Sequence, residues 1–129
     1  MTKHSKGVLL IDFDGTIVEH KWPDLGDPLP LAFEVLRELK TYGYALILWT
    51  CREDIPGHRN ALTEAVELCR KNGVEFDAIN ETLMEFDYRS DYTDNKAICR
   101  KPHVNYCIDD TNLDGFPGWD WVRRKLLPQ

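Results

Sequence analysis

The chain has 129 residues, 43% of them hydrophobic, and a formal net charge of −6 at pH 7. This length suffices for one hydrophobic core and leaves no room for a second domain. The acidic balance argues against a broad nucleic-acid-binding surface. The sequence contains no apolar run near the roughly 20 residues that a membrane span requires and no pattern typical of a signal peptide. We therefore expect a single cytoplasmic domain over residues 1–129.

Four cysteines occur without the CxxC spacing of a zinc site, at Cys51, Cys69, Cys99 and Cys107. Free thiols in a reducing cytosol are the expected state, in preference to disulfides or zinc ligands. Cys69 and Cys107 lie within apolar patterns, which predicts that they are buried.

The first half of the chain alternates strand and helix signals. The run Val8–Ile11 consists of four branched apolar residues, which is typical of a strand buried on both faces. Helical periodicity follows twice, and a glycine ends each helical pattern. In chain order we predict a strand over residues 8–12, a loop over 17–30, a helix over 31–42, a strand over 45–50, a loop over 52–59 and a helix over 60–72.

The second half continues the alternation around a polar segment. We predict a strand over residues 76–79, a weakly patterned segment over 80–94, a short helix over 94–100, a strand over 104–109 and a closing helix over 119–127. Alternating strands and helices imply right-handed crossovers and a parallel sheet. With the first strand central, the strand order is 3-2-1-4.

Polar side chains follow three of these strands. Asp12 and Asp14 end the first strand, Thr50 ends the second, and Asp109 with Asp110 ends the last. In open α/β sheets, ligands bind at the carboxyl ends of the strands, where the order reverses. Clustered carboxylates are costly there unless a cation or a bound phosphate uses them. Because the oxygen ligands are hard, magnesium suits this cluster best.

Three motifs occur in an order that resembles the haloacid dehalogenase superfamily. They are Asp12-Phe13-Asp14-Gly15-Thr16, Leu48-Trp49-Thr50 and Ile108-Asp109-Asp110, and the resemblance is strongest to the small members that have no cap domain. It implies a three-layer, Rossmann-like α/β core with a parallel sheet of at least four strands. It also implies a phosphatase that uses Mg²⁺.

The resemblance implies a role for each residue of the motifs. Asp12 would be the nucleophile that forms an aspartyl-phosphate. Asp14 would protonate the leaving oxygen and then deprotonate water, while its backbone carbonyl binds the metal. Thr50 would bind a phosphoryl oxygen. Asp110 is the preferred metal ligand. Asp109 would bind the metal through water or support the direct ligands, and the reverse assignment of the two residues stays open.

Four further residues are candidates for substrate contact. Gly15 permits an unusual backbone turn beside the site, and Thr16 can hydrogen-bond that turn. Cys51 and Arg52 directly follow Thr50 on the next loop. Arg52 fits a substrate contact and an ordinary surface residue equally well.

The family also requires a lysine, and two positions compete for it. Lys101 precedes a proline with a spacing found in some relatives, but most of the interval to Asp109 is strand, rising about 3.3 Å per residue. That places Lys101 near the opposite edge of the sheet. Lys96 opens the predicted short helix and shares the edge of the strand ends, so chain direction favours Lys96.

Neither the segment after Asp14 nor the one before Lys96 can build a core of its own, so we expect no cap and an open site. An open site fits an accessible phosphoester on a larger molecule, or a small phosphorylated molecule covered by a neighbouring subunit of a homo-oligomer. Two rivals remain. One is a phospho-acceptor module, although receiver domains place their acidic pair on the first strand. The other is a binding protein of this fold with little turnover.

Overall fold

The computed structural model describes residues 5–86 and 101–129. Within these ranges the chain forms a four-stranded sheet, three α-helices and one 3₁₀ turn. The elements are β1 (Gly7–Ile11), α1 (Ala32–Tyr42), β2 (Tyr44–Leu48), α2 (Ala61–Lys71), β3 (Ala78–Ile79), the 3₁₀ turn (Met84–Phe86), β4 (Tyr106–Ile108) and α3 (Trp119–Leu126).

All four strands are parallel, and the predicted order is confirmed as β3-β2-β1-β4. Ile11 at the end of β1 pairs with Leu48 at the end of β2 and with Ile108 at the end of β4. The three strands therefore end at the same level along one edge of the sheet. This register brings the residues that follow them to one place.

The three described helices share one hydrophobic cluster with one face of the sheet. Leu9 and Ile11 of β1 belong to this cluster, whereas Val8 belongs to a second cluster on the opposite face. The alternation follows from the two-residue period of a strand. On the opposite face, Leu83 and Val104 are among the described residues that cover the sheet.

Helix α1 ends where the sequence predicts. Gly43 adopts a φ of 116°, and its N–H donates to the carbonyls of Leu39 and Lys40 at the end of the helix. A glycine tolerates this left-handed conformation without steric cost. The chain then turns directly into β2.

The last strand is shorter than predicted. Residues 104–109 were expected in it, but only Tyr106–Ile108 pair as a strand. Asn105 instead makes two bonds to Val8. Its side-chain oxygen accepts the Val8 N–H at 2.8 Å, and its own N–H donates to the Val8 carbonyl at 2.8 Å. Cys107, predicted to be buried, is exposed, whereas Cys69 is buried as expected.

Three expectations fall wholly or mostly beyond the described residues. The helix predicted over residues 94–100 and Lys96 within it lie outside them, as does most of the polar segment that precedes them. The described residues show the expected α/β fold, with a four-stranded parallel sheet and three helices, as in a small Rossmann-like domain. No helix in the described part of the chain combines the length and apolar composition needed to cross a membrane.

Candidate functional site

A tight turn follows β1 and carries Asp12 and Asp14. The Phe13 ring between them is fully buried. The Phe13 carbonyl accepts the N–H groups of Ile17 at 2.9 Å and of Thr16 at 3.2 Å. These hydrogen bonds close the turn, which lies at the carboxyl edge of the sheet.

Three carboxylates converge at this edge. Asp12, directly after β1, meets Asp109 and Asp110, which follow β4, and one oxygen of each lies within 4.8 Å of the others. We call these three residues the acidic cluster. The structure thereby brings together residues separated by almost a hundred positions in the sequence, as the strand order predicts.

The acidic cluster perturbs Asp12 strongly. Burial, the negative charge of Asp109 and a hydrogen bond with the Asp110 side chain raise the pKa of Asp12 from 3.8 to about 7, although the Thr16 hydroxyl lowers it. A carboxylate next to two others binds its proton more tightly because the ionised form is repelled. A divalent cation among them would reverse this balance.

Gly15 is required by the close approach of β4 to the turn. Its φ is +86°, and a Cβ at this position would lie 2.1 Å from Oδ2 of Asp110. Any larger residue would displace that carboxylate. The absence of a side chain at Gly15 therefore allows the Asp110 carboxylate to reach its place in the acidic cluster.

Thr16 joins the two halves of the acidic cluster. Its hydroxyl donates to Oδ2 of Asp12 at 3.0 Å and accepts the Asp110 N–H at 3.1 Å. The side chain is fully buried, and its contact with substrate stays a prediction. The buried Trp119 indole also donates to the Thr16 carbonyl at 2.7 Å, a role that the sequence did not reveal.

The Asp14 carboxylate lies apart from the acidic cluster and pairs with Arg52. Nε and Nη2 of Arg52 donate to its two oxygens at 2.8 Å each. Arg52 is fully buried, which corrects its interpretation as an ordinary surface residue, whereas its contact with substrate stays a prediction. The chain folds back after β2 and carries Arg52 inward, beneath the segment that follows the β1 turn.

Thr50 lies at the end of β2, where a second strand reaches the same edge. Its hydroxyl accepts the Arg52 N–H at 3.1 Å, and its own N–H donates to the Asn80 side-chain oxygen at 2.7 Å. Asn80 has a φ of 55°, a conformation that asparagine tolerates better than most residues. This support from Asn80 was missed, although a polar residue directly after β3 was its signal. Cys51, beside Thr50, is an exposed free thiol.

The choice of the active-site lysine stays a prediction. Lys96 lies outside the described residues. Lys101 is exposed. Partial burial and the charge of Asp109 raise the pKa of the Cys107 thiol, and the charge of Lys101 lowers it by less. Lys101 and Asp109 therefore both act electrostatically on the side chain of Cys107.

The acidic cluster fits a hard divalent cation. Its donors are carboxylate oxygens from two adjacent strand ends, the ligand type that magnesium prefers over the nitrogen and sulfur ligands of zinc.

One solved structure is similar to this chain at the level of both fold and sequence. It is that of a conserved protein from Bacteroides thetaiotaomicron, with 37% sequence identity and a TM-score of 0.73 over 90% of this chain and 85% of that one. No protein-family model matches the chain, and neither does any curated protein.

Proposed function

This chain belongs to the same family as the conserved Bacteroides thetaiotaomicron protein, and we propose that it is a magnesium-dependent phosphomonoester hydrolase of the haloacid dehalogenase type. The observation that supports the proposal is the acidic cluster at the carboxyl ends of β1 and β4, with Thr50 two residues after β2, the strand next to β1. A phosphate dianion and several carboxylates occupy one site only with a cation between them.

The first half of the proposed reaction transfers the phosphoryl group to the protein. An oxygen of Asp12 attacks phosphorus and forms a P–O bond as the bond to the leaving oxygen breaks. Asp14 gives its proton to that oxygen, so a neutral alcohol departs. Thr16, by donating to Oδ2 of Asp12, fixes which carboxylate oxygen is free to attack.

The second half releases phosphate. Asp14 takes a proton from water, the water oxygen attacks phosphorus, and the bond to Asp12 breaks. The Thr50 hydroxyl, which accepts from the Arg52 backbone, keeps its own hydrogen available for a phosphoryl oxygen. Asp12, Asp110 and Asp109 would hold the cation, together with the Asp14 carbonyl. Bound magnesium supplies charge neutralisation for the transferring group.

The substrate is proposed to be a phosphorylated small molecule or an accessible phosphoester on a larger one. We place the protein in the cytoplasm because Cys51, Cys69 and Cys107 are free thiols in the structure, a state typical of reducing compartments. A covering subunit in a homo-oligomer is the arrangement proposed for small substrates.

A screen of phosphomonoesters tests the proposal. Sugar phosphates, nucleotides and a 3′-phosphorylated oligonucleotide are incubated with the wild type and Asp12→Asn, with magnesium and with excess chelator. We expect turnover with magnesium alone, reduced more than about a thousandfold in Asp12→Asn, while thermal unfolding shows both proteins folded. Equal activity of the two proteins, or activity that survives full metal removal, contradicts the proposal.

The second candidate is a phospho-acceptor with little turnover, for which the engagement of both Asp14 oxygens by Arg52 is the supporting observation. If this pairing slows proton transfer from water to Asp14, the phosphoryl group leaves Asp12 slowly. The same screen separates the candidates, because an acceptor gives one phosphoryl group per chain and no further product.

A further inference from the structure

The Arg52 guanidinium uses every N–H group that it has. Besides its two bonds to Asp14, Nη2 donates to the Asp24 carbonyl at 2.9 Å. Nη1 donates to the carbonyls of Pro23 and Ala61 at 3.4 Å each. The five donors of an arginine are thereby all directed at this chain, and none is left for a substrate.

Two aromatic rings enclose the guanidinium plane. Its central carbon lies 5.1 Å from the centre of the buried Phe13 ring and 5.0 Å from that of Trp22. Together they leave the Arg52 side chain 0% exposed, whereas the Asp14 side chain keeps 14% of its surface open. The arginine is thus immobilised, and its partner carboxylate stays accessible.

From this arrangement we propose that Arg52 is a positioning residue that orients the Asp14 carboxylate for proton transfer. The inference rests on the proposed function and adds a residue to it. A buried cation enclosed so completely is costly to fold around, and a bidentate pair fixes both the position and the plane of its carboxylate.

The pairing leaves Asp14 able to act. Each carboxylate oxygen offers two lone-pair sites, and Arg52 occupies one on each. A remaining site can carry the proton that goes to the leaving oxygen, and after that transfer it can accept one from water. Arg52 therefore sets the direction from which the proton is exchanged, without touching the substrate itself.

Arg52→Lys tests this role because lysine keeps the charge and loses the planar fork. The matched control is Arg59→Lys, on the same loop, which breaks a bidentate pair with Glu64 at 2.8 and 2.9 Å that does not involve Asp14. Both variants are assayed with magnesium on substituted phenyl phosphates, from 4-nitrophenyl to 4-methoxyphenyl. The ratio kcat/KM is used because it reports the steps up to leaving-group departure.

A misplaced acid harms poor leaving groups most, because good ones depart without a proton. For Arg52→Lys we expect kcat/KM to fall about 10- to 100-fold with 4-methoxyphenyl phosphate and less than about threefold with 4-nitrophenyl phosphate. Asp14→Asn should give the same trend, and the double variant should be no worse than Asp14→Asn alone. Arg59→Lys should show no dependence on the leaving group.

Additive losses in the double variant, or equal losses across the series, overturn the inference while leaving the phosphatase proposal standing. A wild type without magnesium-dependent turnover overturns both. If Arg52→Lys does not fold, Trp22→Ala replaces it, since it removes one of the two rings against the guanidinium. The same selective loss, of about threefold or more with 4-methoxyphenyl phosphate, is then expected, and an unselective loss contradicts the inference.

Discussion

At Asp12, folding and chemistry make opposite demands on one carboxylate. Burial and the neighbouring Asp109 and Asp110 favour its protonated form and raise its pKa to about 7. The proposed nucleophilic attack requires the ionised form. A cation in the acidic cluster would reconcile the two, because it would favour ionisation at the proposed phosphate site.

The raised pKa of Asp12 predicts how the stability of the metal-free protein depends on pH. The folded chain holds the Asp12 proton up to a pKa of about 7, and the unfolded chain loses it near 3.8. Between these values the folded state binds more protons, so this residue makes the free energy of unfolding fall as pH rises. Above pH 7 the loss is complete.

Urea unfolding with chelator at pH 4, 5.5 and 8 measures this effect. Relative to Asp12→Asn, the wild type should lose stability as the pH rises, and magnesium should restore it at pH 8. A wild type that gains stability on Asp12→Asn over this range would contradict the assignment of the raised pKa.

Gly15→Ala tests the close approach of Asp110 to the turn. The new Cβ would collide with Oδ2 of Asp110, so we expect magnesium affinity to fall about 10- to 100-fold. The matched control is Gly57→Ala, with a φ of +78° and nothing within 4 Å of its added Cβ. Both variants carry a backbone strain of about 1–2 kcal/mol, but only Gly15→Ala should weaken metal binding in calorimetry. Equal affinities for the two variants count against the contact.

Among the elements, α3 has the least expected part in the site. Its first residue, Trp119, is 1% exposed and holds the Thr16 carbonyl through its indole N–H. Thr16 in turn contacts both Asp12 and Asp110. Helix α3 therefore supports the acidic cluster indirectly, through the hydrogen bond from Trp119 to Thr16.

Trp119→Phe keeps a ring in the core and removes the donor. The buried carbonyl left without its partner should lower the free energy of unfolding by about 1–3 kcal/mol, with a loss of turnover as the β1 turn loosens. Trp121→Phe on the same helix is the control: Trp121 is 41% exposed, so a change within about 0.5 kcal/mol is expected. Urea unfolding measures the free energy of unfolding of both variants. Equal values would contradict the role of the Trp119 hydrogen bond.

The strand ends could be predicted from the sequence because two simple patterns agree there. Apolar runs mark the buried strands, and polar residues follow them directly, as Asp12 and Asp109 do. The alternation of elements implied a parallel sheet, and taking the first strand as central gave the order 3-2-1-4, which is confirmed. Together these patterns predict the acidic cluster at one edge of the sheet.

Residues that act through burial could not be predicted in the same way. Arg52 has the sequence context of an exposed loop residue, and only the folded chain places two rings and five acceptors around it. Thr16 reads as a turn residue, since nothing local indicates that β4 approaches it. Both depend on contacts between segments far apart in the chain.

For the whole molecule, a parallel sheet with matched strand ends is what makes one site from three segments. The described helices pack against one face of the sheet, and the residues of the acidic cluster directly follow the strands at its carboxyl edge. The central claim is that phosphoryl transfer at this edge passes through Asp12, while Asp14 serves the proton transfers.

Mapping of the phosphorylated residue in Asp14→Asn tests that claim most directly. With 4-nitrophenyl phosphate and magnesium, the leaving group departs without an acid, but the base for water is missing, so the intermediate should accumulate. Acid quenching and peptide mass spectrometry should then place one phosphoryl group on Asp12, absent from the Asp12→Asn/Asp14→Asn double variant. A phosphoryl group on another residue, or one that persists in the double variant, would contradict the account.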